Sequence, residues 1–410
     1  MIGRVLFIVS VLQVGVATAA PVTAERVAAL PVATRGDWQS YLDRSQTTAA
    51  HDADALAAEV AAEKRGSATR APSGGDFRFG DGDRPAEWFA GSEGEALVNA
   101  VISYQSPSGG WSKHLGYSQG PRRLGTQWTS QSEPGKKPHY LATIDNGATT
   151  EELRFLAAAW AATGRTDAAA AVNRGVDYLL EAQYPSGGWP QVYPLEGGYH
   201  DHVTFNDDAM TNVLELLRDV AGEAAEFACV TPDRRERVRR SLDRGIDYLL
   251  ATQFPVAGRP SGWCAQYDPL TLEPAQGRAY EPPSLAGVES SHVLRFLMSQ
   301  PKPSAEVVAC IEAGLAWLDE AQVTGLARVK QDGRTLYIAQ DGSTEVYWAR
   351  FYDLTTGSPI YPGKDGVVYQ SYVDLAAAND KLGYDYLSSR PGSILKNGQK
   401  KWRKRLASSP

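Results

Sequence analysis

What this chain lacks narrows its class first. Its 410 residues include three cysteines, Cys229, Cys264 and Cys310. These allow at most one internal disulfide and show no zinc-site spacing, so they read as isolated small core residues. Beyond the N-terminus no stretch has the roughly 20 uncharged apolar residues that a membrane-spanning helix needs. Positive charge is not in excess either: 41 Lys and Arg against 48 Asp and Glu leave a net charge of −7. That excludes nucleic acid as a partner, because phosphate binding requires a basic face. An acidic ligand stays possible if a locally basic groove or bridging metal ions receive it. The one basic run, KNGQKKWRKR at 396–405, reads as a solvated tail within residues 393–410.

Residues 1–19 combine Arg4, an apolar stretch from Val5 to Val16 and the small-x-small triplet Ala17-Thr18-Ala19. This pattern reads as a secretory signal peptide. The remainder is expected to be secreted, free of the membrane and a monomer. Its composition is that of a globular protein, and ten Trp and nineteen Tyr offer faces that can stack on sugars. Residues 20–75 read as an N-terminal helical segment followed by a Gly, Ser and Pro-rich lead-in. The main domain is expected over residues 76–392.

Within that domain the chain repeats when aligned on an aromatic residue and a Gln. The segments are NAVISYQSPSGGW at 99–111, GVDYLLEAQYPSGGWP at 175–190, GIDYLLATQF at 245–254 and GLAWLDEAQ at 314–322. Gln105, Gln183, Gln253 and Gln322 therefore recur every 69–78 residues, room for two helices and their loops. Second helices are predicted at 149–162, 207–220 and 289–298, where apolar residues fall at i, i+3, i+4 and i+7 behind acidic or hydroxyl residues suited to N-caps. Helix pairs that cannot bury their faces alone must stack. The expected fold is all-α, mainly helix with long loops: an α/α toroid of repeated helix pairs whose polar loops converge at one end.

Those loops hold the candidate chemistry. Asp145 and Asn146 stand in TIDNGATTEE before a predicted helix, and Glu151 and Glu152 in its first turn complement the helix dipole. The run His200-Asp201-His202-Val203-Thr204-Phe205-Asn206-Asp207-Asp208 precedes the next helix. Two His at i, i+2 in a loop are weak evidence for zinc, and oxygen donors predominate. A hard cation, calcium above magnesium, fits Asp145, Asp207 and either Asp201 or Asp208 better, although no EF-hand loop is present. Arg278 and Glu281 share a Pro-stiffened loop, Arg350 lies on or beside a short helix in WARFYDL, Lys364 sits in a PGKDG turn and Lys113 in GGWSKH. Converging, these cations could supply the basic groove. Two opposed hydrolase carboxylates would also suit such a ring. The Q-x-x-x-G-x-W repeats match those of triterpene cyclases, but the D-x-D-D signature is missing.

TIDNGATTEELRFLA, GGWPQVYP followed by HVTFNDDAMTNVLELL, WCAQYDPLTLEPAQGRAYEPPSLAGVES and ARFYDLTTGSPIYPGKDG resemble the motif series of family 10 polysaccharide lyases, the pectate lyases with an α/α toroid. The likeness runs from about Phe77 to Gly383. It implies calcium-assisted β-elimination of de-esterified homogalacturonan, with polygalacturonate as the partner. By the same resemblance Asp145 and Asp207 would hold Ca2+, Arg278 would be the catalytic base, and Lys113, Asn146, Arg350 and Lys364 would contact substrate. Lys364 stands where an arginine is expected, so a bidentate clamp becomes a point charge. The chemistry is coherent: a uronate acidifies its C5 hydrogen only once its carboxylate charge is neutralised, which calcium and basic side chains can do. A guanidinium normally stays protonated, so a base role for Arg278 demands neighbours that depress its pKa. An α/α-toroid hydrolase using Asp145 and Asp207, and a non-catalytic polyuronide binder, are the competing readings.

Overall fold

A computed structural model describes residues 20–79, 84–131, 139–331, 333–379 and 381–408; the signal peptide read over residues 1–19 lies outside them. Helices α1 (Ala24–Ala28) and α2 (Val32–Ala62) come first, then α3 (Ala86–Ala90) and α4 (Ser92–Ser103). Three helix pairs follow: α5 (Thr150–Thr163) with α6 (Thr166–Ala182), α7 (Ala209–Ala221) with α8 (Pro232–Ala251), and α9 (Gly287–Ser299) with α10 (Ala305–Glu320). Helices α5, α7 and α9 pack side by side in one row, and α4, α6, α8 and α10 form a second row behind it. The sites where α5, α7 and α9 begin thus face one end of the molecule.

The repeat is built by its Gln and Trp. Gln105 Nε2 donates to the Ala171 carbonyl on α6, Gln183 Nε2 to Ser241 on α8, and Gln253 Nε2 to Cys310 on α10, each at 2.9 Å. One amide therefore ties each outer helix to the next, buried at Gln105 and Gln183 and half-buried at Gln253. Trp111, Trp189 and Trp263 are fully buried and donate Nε1 to the carbonyls of Val101, Leu179 and Leu249 at 2.8 Å. Truncating any of them to Ala would cost about 3–5 kcal/mol. The glycines before the first two Trp are sterically required. Gly109 and Gly187 have φ of 101° and 103°, and a Cβ there would meet the Arg174 or Arg244 carbonyl at 2.6 or 2.4 Å.

The all-α toroid expectation needs correction. The chain is about 49% helix and 12% strand, and the two helix rows stop at α10 without a demonstrated ring. The fourth Gln, Gln322, is not a buried tie: it lies in strand and bonds Asp319. From there aromatic and β-branched residues alternate, a strand period that the helix repeat overshadowed. Before this point lie β1 (Val203–Thr204), β2 (Pro255–Val256), β3 (Arg259–Pro260) and β4 (Gln266–Tyr267); after it come β5 (Gln322–Val323), β6 (Leu326–Gln331), β7 (Arg334–Ala339), β8 (Tyr347–Ala349), β9 (Phe351–Tyr352), β10 (Pro359–Pro362), β11 (Val368–Tyr369) and β12 (Leu387–Ser388). They make five small antiparallel sheets: β1-β4, β2-β3, β6-β7, β5-β8-β12 and β9-β10-β11. The β6-β7 hairpin is the longest, pairing Leu326 with Ala339 through to Gln331 with Arg334.

Both ends of the described chain pack on this body. Tyr41 of α2 donates to the Ala182 carbonyl at 3.0 Å, and the Val22 N–H reaches Asp201 Oδ2 at 3.0 Å. Helix α11 (Tyr372–Ala378) precedes α12 (Gln399–Ser408). The basic run is no solvated tail: α12 buries Trp402 and pairs Arg403 with Glu312 at 2.7 Å. Its polar residues face out around one anchoring aromatic. All three cysteines are free, Cys264 and Cys310 buried and Cys229 partly so. No helix among the described residues is long and apolar enough to cross a membrane.

Candidate active site

Two short turns set the site, Asp145–Gly147 ahead of α5 and Asn206–Asp208 ahead of α7, and they pack against each other. Each has a left-handed middle residue, Asn146 at φ 55°, ψ 25° and Asp207 at φ 53°, ψ 32°. Asn and Asp tolerate this region better than other side chains. Thr149 is also left-handed at φ 66°, held there because its hydroxyl accepts from Trp111 N at 3.0 Å and donates to the Thr143 carbonyl at 2.8 Å. Backbone strain thus concentrates where the polar groups meet.

Asp145 is 2% exposed. Its Oδ2 takes a 2.5 Å ion pair from Lys113 Nζ, which also sits 4.0 Å from the centroid of the Tyr140 ring. Its Oδ1 is buried without a hydrogen-bond partner, and so are Gln191 Oε1 and Gln266 Oε1. Asp207 reaches solvent at the mouth of the cleft, yet protein crowds it on several sides. That crowding first, and the Asp145 charge second, push its carboxyl above the usual range; Arg350, Lys113 and Arg278 pull the other way.

Arg350 bridges the turns to the sheets. It lies between β8 and β9, not on a helix, and its Nη2 donates to Asn206 Oδ1 at 2.6 Å while its guanidinium stands 4.6 Å from the Tyr384 ring centroid. Arg278 reaches in from the opposite loop. Its Nη2 donates to Glu281 Oε1 at 2.8 Å, its backbone N–H donates to Glu281 Oε2 at 2.6 Å, and Tyr384 OH donates to the same carboxylate. Burial would raise the Glu281 carboxyl, but these hydrogen bonds outweigh it and hold the group below its usual range. The Glu281 hydrogen bond in turn pushes the Arg278 guanidinium upward, opposite to what a base requires.

Lys113, Asp145, Asn146, Asp207, Arg278 and Arg350 line one cleft of ≈ 170 Å³. Lys364 is not among its walls; it lies over the outer side of Tyr280, 5.8 Å from that ring, in an adjoining hollow. Tyr140, Gln191, Tyr199, Gln266 and Glu281 complete the cleft. Of these, Gln191 and Gln266 carried a readable signal, following the repeated Trp189 and Trp263 by two and three residues.

Asp201, Asp208 and His200 of the acidic and His run are engaged by other groups of the protein. Asp201 accepts from Val22 N and Gly197 N, and Asp208 pairs with His292. His200 bonds Tyr140 OH at 2.8 Å and is driven down to about 4 by burial first, then by His139 and Lys113. No trio of His, Cys, Asp or Glu able to hold a metal occurs among the described residues. The donor chemistry nevertheless fits a hard cation: an unpartnered Asp145 oxygen, the neighbouring Asp207 and the two amide oxygens are all oxygen ligands, with no thiolate and no accessible imidazole.

Such a cleft, combining carboxylates with several cations, suits an anionic sugar chain. The family model for pectic acid lyase matches residues 105–395. An aspartate-to-alanine mutant of a family 10 polysaccharide lyase from Cellvibrio cellulosa, in complex with trigalacturonic acid, is 34% identical with a TM-score of 0.64, covering 77% of this chain and 97% of that one. A second structure of a family 10 polysaccharide lyase from Cellvibrio cellulosa is 33% identical with a TM-score of 0.64, covering 80% and 98%. No match was found among curated proteins. On the family match and these structures together, the chain belongs to the pectic acid lyases of polysaccharide lyase family 10 and is a polysaccharide-cleaving lyase.

Proposed function

We propose that this enzyme is a secreted, monomeric pectate lyase that cleaves de-esterified homogalacturonan by calcium-assisted β-elimination, leaving 4,5-unsaturated oligogalacturonides. The observation that carries the reading is the buried, unpartnered Asp145 Oδ1 beside Asp207, facing Arg278 and Arg350 across one cleft. Asp145 and Asp207 would hold Ca2+, with Gln191 and Gln266 as further oxygen donors. A bound calcium supplies charge neutralisation of the uronate carboxylate, which acidifies the C5 hydrogen. Lys113 already neutralises Asp145 in part, so cation affinity is expected to be weak until substrate carboxylates arrive.

The chain's own groups divide the remaining work. Arg350, fixed by Asn206, and Asn146 orient the uronate, while Lys364 meets it further out as a point charge. Arg278 takes the C5 proton. The C5–H electrons become the C4–C5 double bond, and the C4–O bond breaks toward the departing sugar, whose oxygen takes a proton from solvent. Glu281 holds Arg278 as a cation in this structure, and a guanidinium has no lone pair to accept a proton, so the base role requires that pair to open and Arg278 to release a proton to solvent before it takes the one on C5, with Tyr384 keeping the carboxylate. A hydrolase reading is disfavoured because Asp145 is committed to Lys113 by a 2.5 Å ion pair, which leaves Asp207 without a second free carboxylate opposite it.

The test is incubation with polygalacturonate, with and without a chelator, followed in the ultraviolet band of unsaturated uronides. A rise that the chelator abolishes is expected. Reducing ends without absorbance would mean hydrolysis, and neither signal would mean binding alone.

A further inference from the structure

The cations of this protein fall into two populations. On α8, Arg234 and Arg237 are paired with Asp177, Arg239 with Glu223 and Arg240 with Glu236, so that face is electrostatically spent. Around the strand-rich rim of the cleft, by contrast, Arg328, Arg334, Lys364, Lys381 and Arg390 gather in two hollows. Among the described residues none of the five side chains has a hydrogen-bonded or ion-paired partner.

The hollows are continuous with the cleft and with each other. The first, holding Arg328 and Arg390, shares Asp207 and Arg350 with the cleft. The second, holding Arg334, Lys364 and Lys381, shares Thr335 and Asp385 with the first and is walled by Tyr384, the same tyrosine that bonds Glu281. Of the carboxylates along this path, Asp208 is paired with His292, while Glu289 is buried, its Oε2 has no hydrogen-bond partner, and burial pushes its carboxyl up against the opposing pull of Arg350. Asp385 stands among the cations at the junction. Arg328 and Arg334 both ride on the β6-β7 hairpin, exposed and near its turn. In a chain with a net charge of −7, such a local run of positive charge is directed at an anion larger than one residue.

We infer that the β6-β7 hairpin and the two hollows extend the cleft into a track for the distal units of an acidic polysaccharide, giving the enzyme a preference for chains longer than a trisaccharide. The inference rests on the uronate-lyase reading above. Each exposed cation contributes modestly and in a salt-dependent way, so the track acts on capture of the polymer and not on bond cleavage.

The double variant Arg328→Ala with Arg334→Ala removes two exposed side chains without disturbing the core. On polygalacturonate its KM should rise about tenfold, with a flatter salt dependence and an unchanged kcat. On trigalacturonate both parameters should equal those of the unsubstituted enzyme. Unchanged polymer KM, or an equal shift on both substrates, overturns the track. Electrophoresis through polygalacturonate-loaded gel tests the same point without turnover: retardation of the unsubstituted chain and its loss in the variant are expected, and equal migration of the two overturns the inference. An unsubstituted chain that is retarded but yields no unsaturated product would sink the lyase reading and leave the track standing.

Discussion

The Asp145–Gly147 and Asn206–Asp208 turns share a backbone, each with a left-handed middle residue and each leading into an inner-row helix, but their carboxylates are one register apart. In the first, Asp comes first and points inward, where it is 2% exposed and locked to Lys113. In the second, Asn206 takes the first position and braces Arg350, while Asp207 takes the left-handed position and reaches solvent. One scaffold thus yields a buried, half-neutralised anchor and an exposed ligand that accepts from Asn206 Nδ2 at 2.8 Å and has no cationic partner among the described residues. Equal roles for the two aspartates do not follow from their equal place in the repeat.

The largest expected effect comes from breaking the exposed member. Asp207→Asn keeps a side chain that tolerates the left-handed backbone, so the fold should survive with stability changed by no more than about 0.5 kcal/mol. Turnover should fall roughly 10²–10³-fold, the scale for losing one preorganised charge at a reacting centre. Calcium titration of initial rates together with urea unfolding separates the two. Stability loss as large as the activity loss would erase the distinction between the turns.

The buried member should fail differently. Asp145→Asn leaves the Lys113 ammonium, only 13% exposed, without its counter-charge. A destabilisation of about 3 kcal/mol is expected, the order seen when one partner of a buried pair is removed. Restoring neutrality with Asp145→Asn plus Lys113→Met should recover much of that stability but no activity. Urea midpoints of the three proteins check it, and a fully stable single variant would show that the pair contributes nothing to the fold.

These contrasts show where the sequence was legible. Three helix pairs, the Gln and Trp ties and the convergence of six of the seven named site residues follow from apolar periodicity and from motif order along the chain. The α/α toroid did not hold, because Gln322 looks like its three predecessors in sequence while its following segment alternates at strand period. WARFYDL likewise reads as helical in sequence, while Arg350 lies between two strands. Motif position groups Lys364 with the cleft residues, but it carries no information about depth. The Arg278–Glu281–Tyr384 arrangement joins residues 103 positions apart, Tyr384 to Glu281, and no local pattern announces such a pairing.

Glu152 separates the two turns once more, through pH. It follows only the Asp145 turn, and in sequence it looks like a helix-dipole partner. It is instead 1% exposed, accepts from Tyr117 OH at 2.9 Å, and leaves Oε2 unpartnered; burial drives its carboxyl from 4.5 to about 8. A neutral acid cannot complement a dipole, so its role at neutral pH is to fill space and hold Tyr117. The folded chain keeps this proton where the unfolded chain has released it, so the contribution is complete below about pH 4.5 and is lost as pH rises through about 8. Within that window stability should fall with a slope approaching about 1.4 kcal/mol per pH unit from this group. Glu152→Gln cannot titrate and keeps the shape, so urea midpoints at pH 6 and pH 8 should differ less in the variant than in the unsubstituted chain. Identical slopes would mean that Glu152 is already ionised in the fold, with the helix N-terminus stabilising its charge after all.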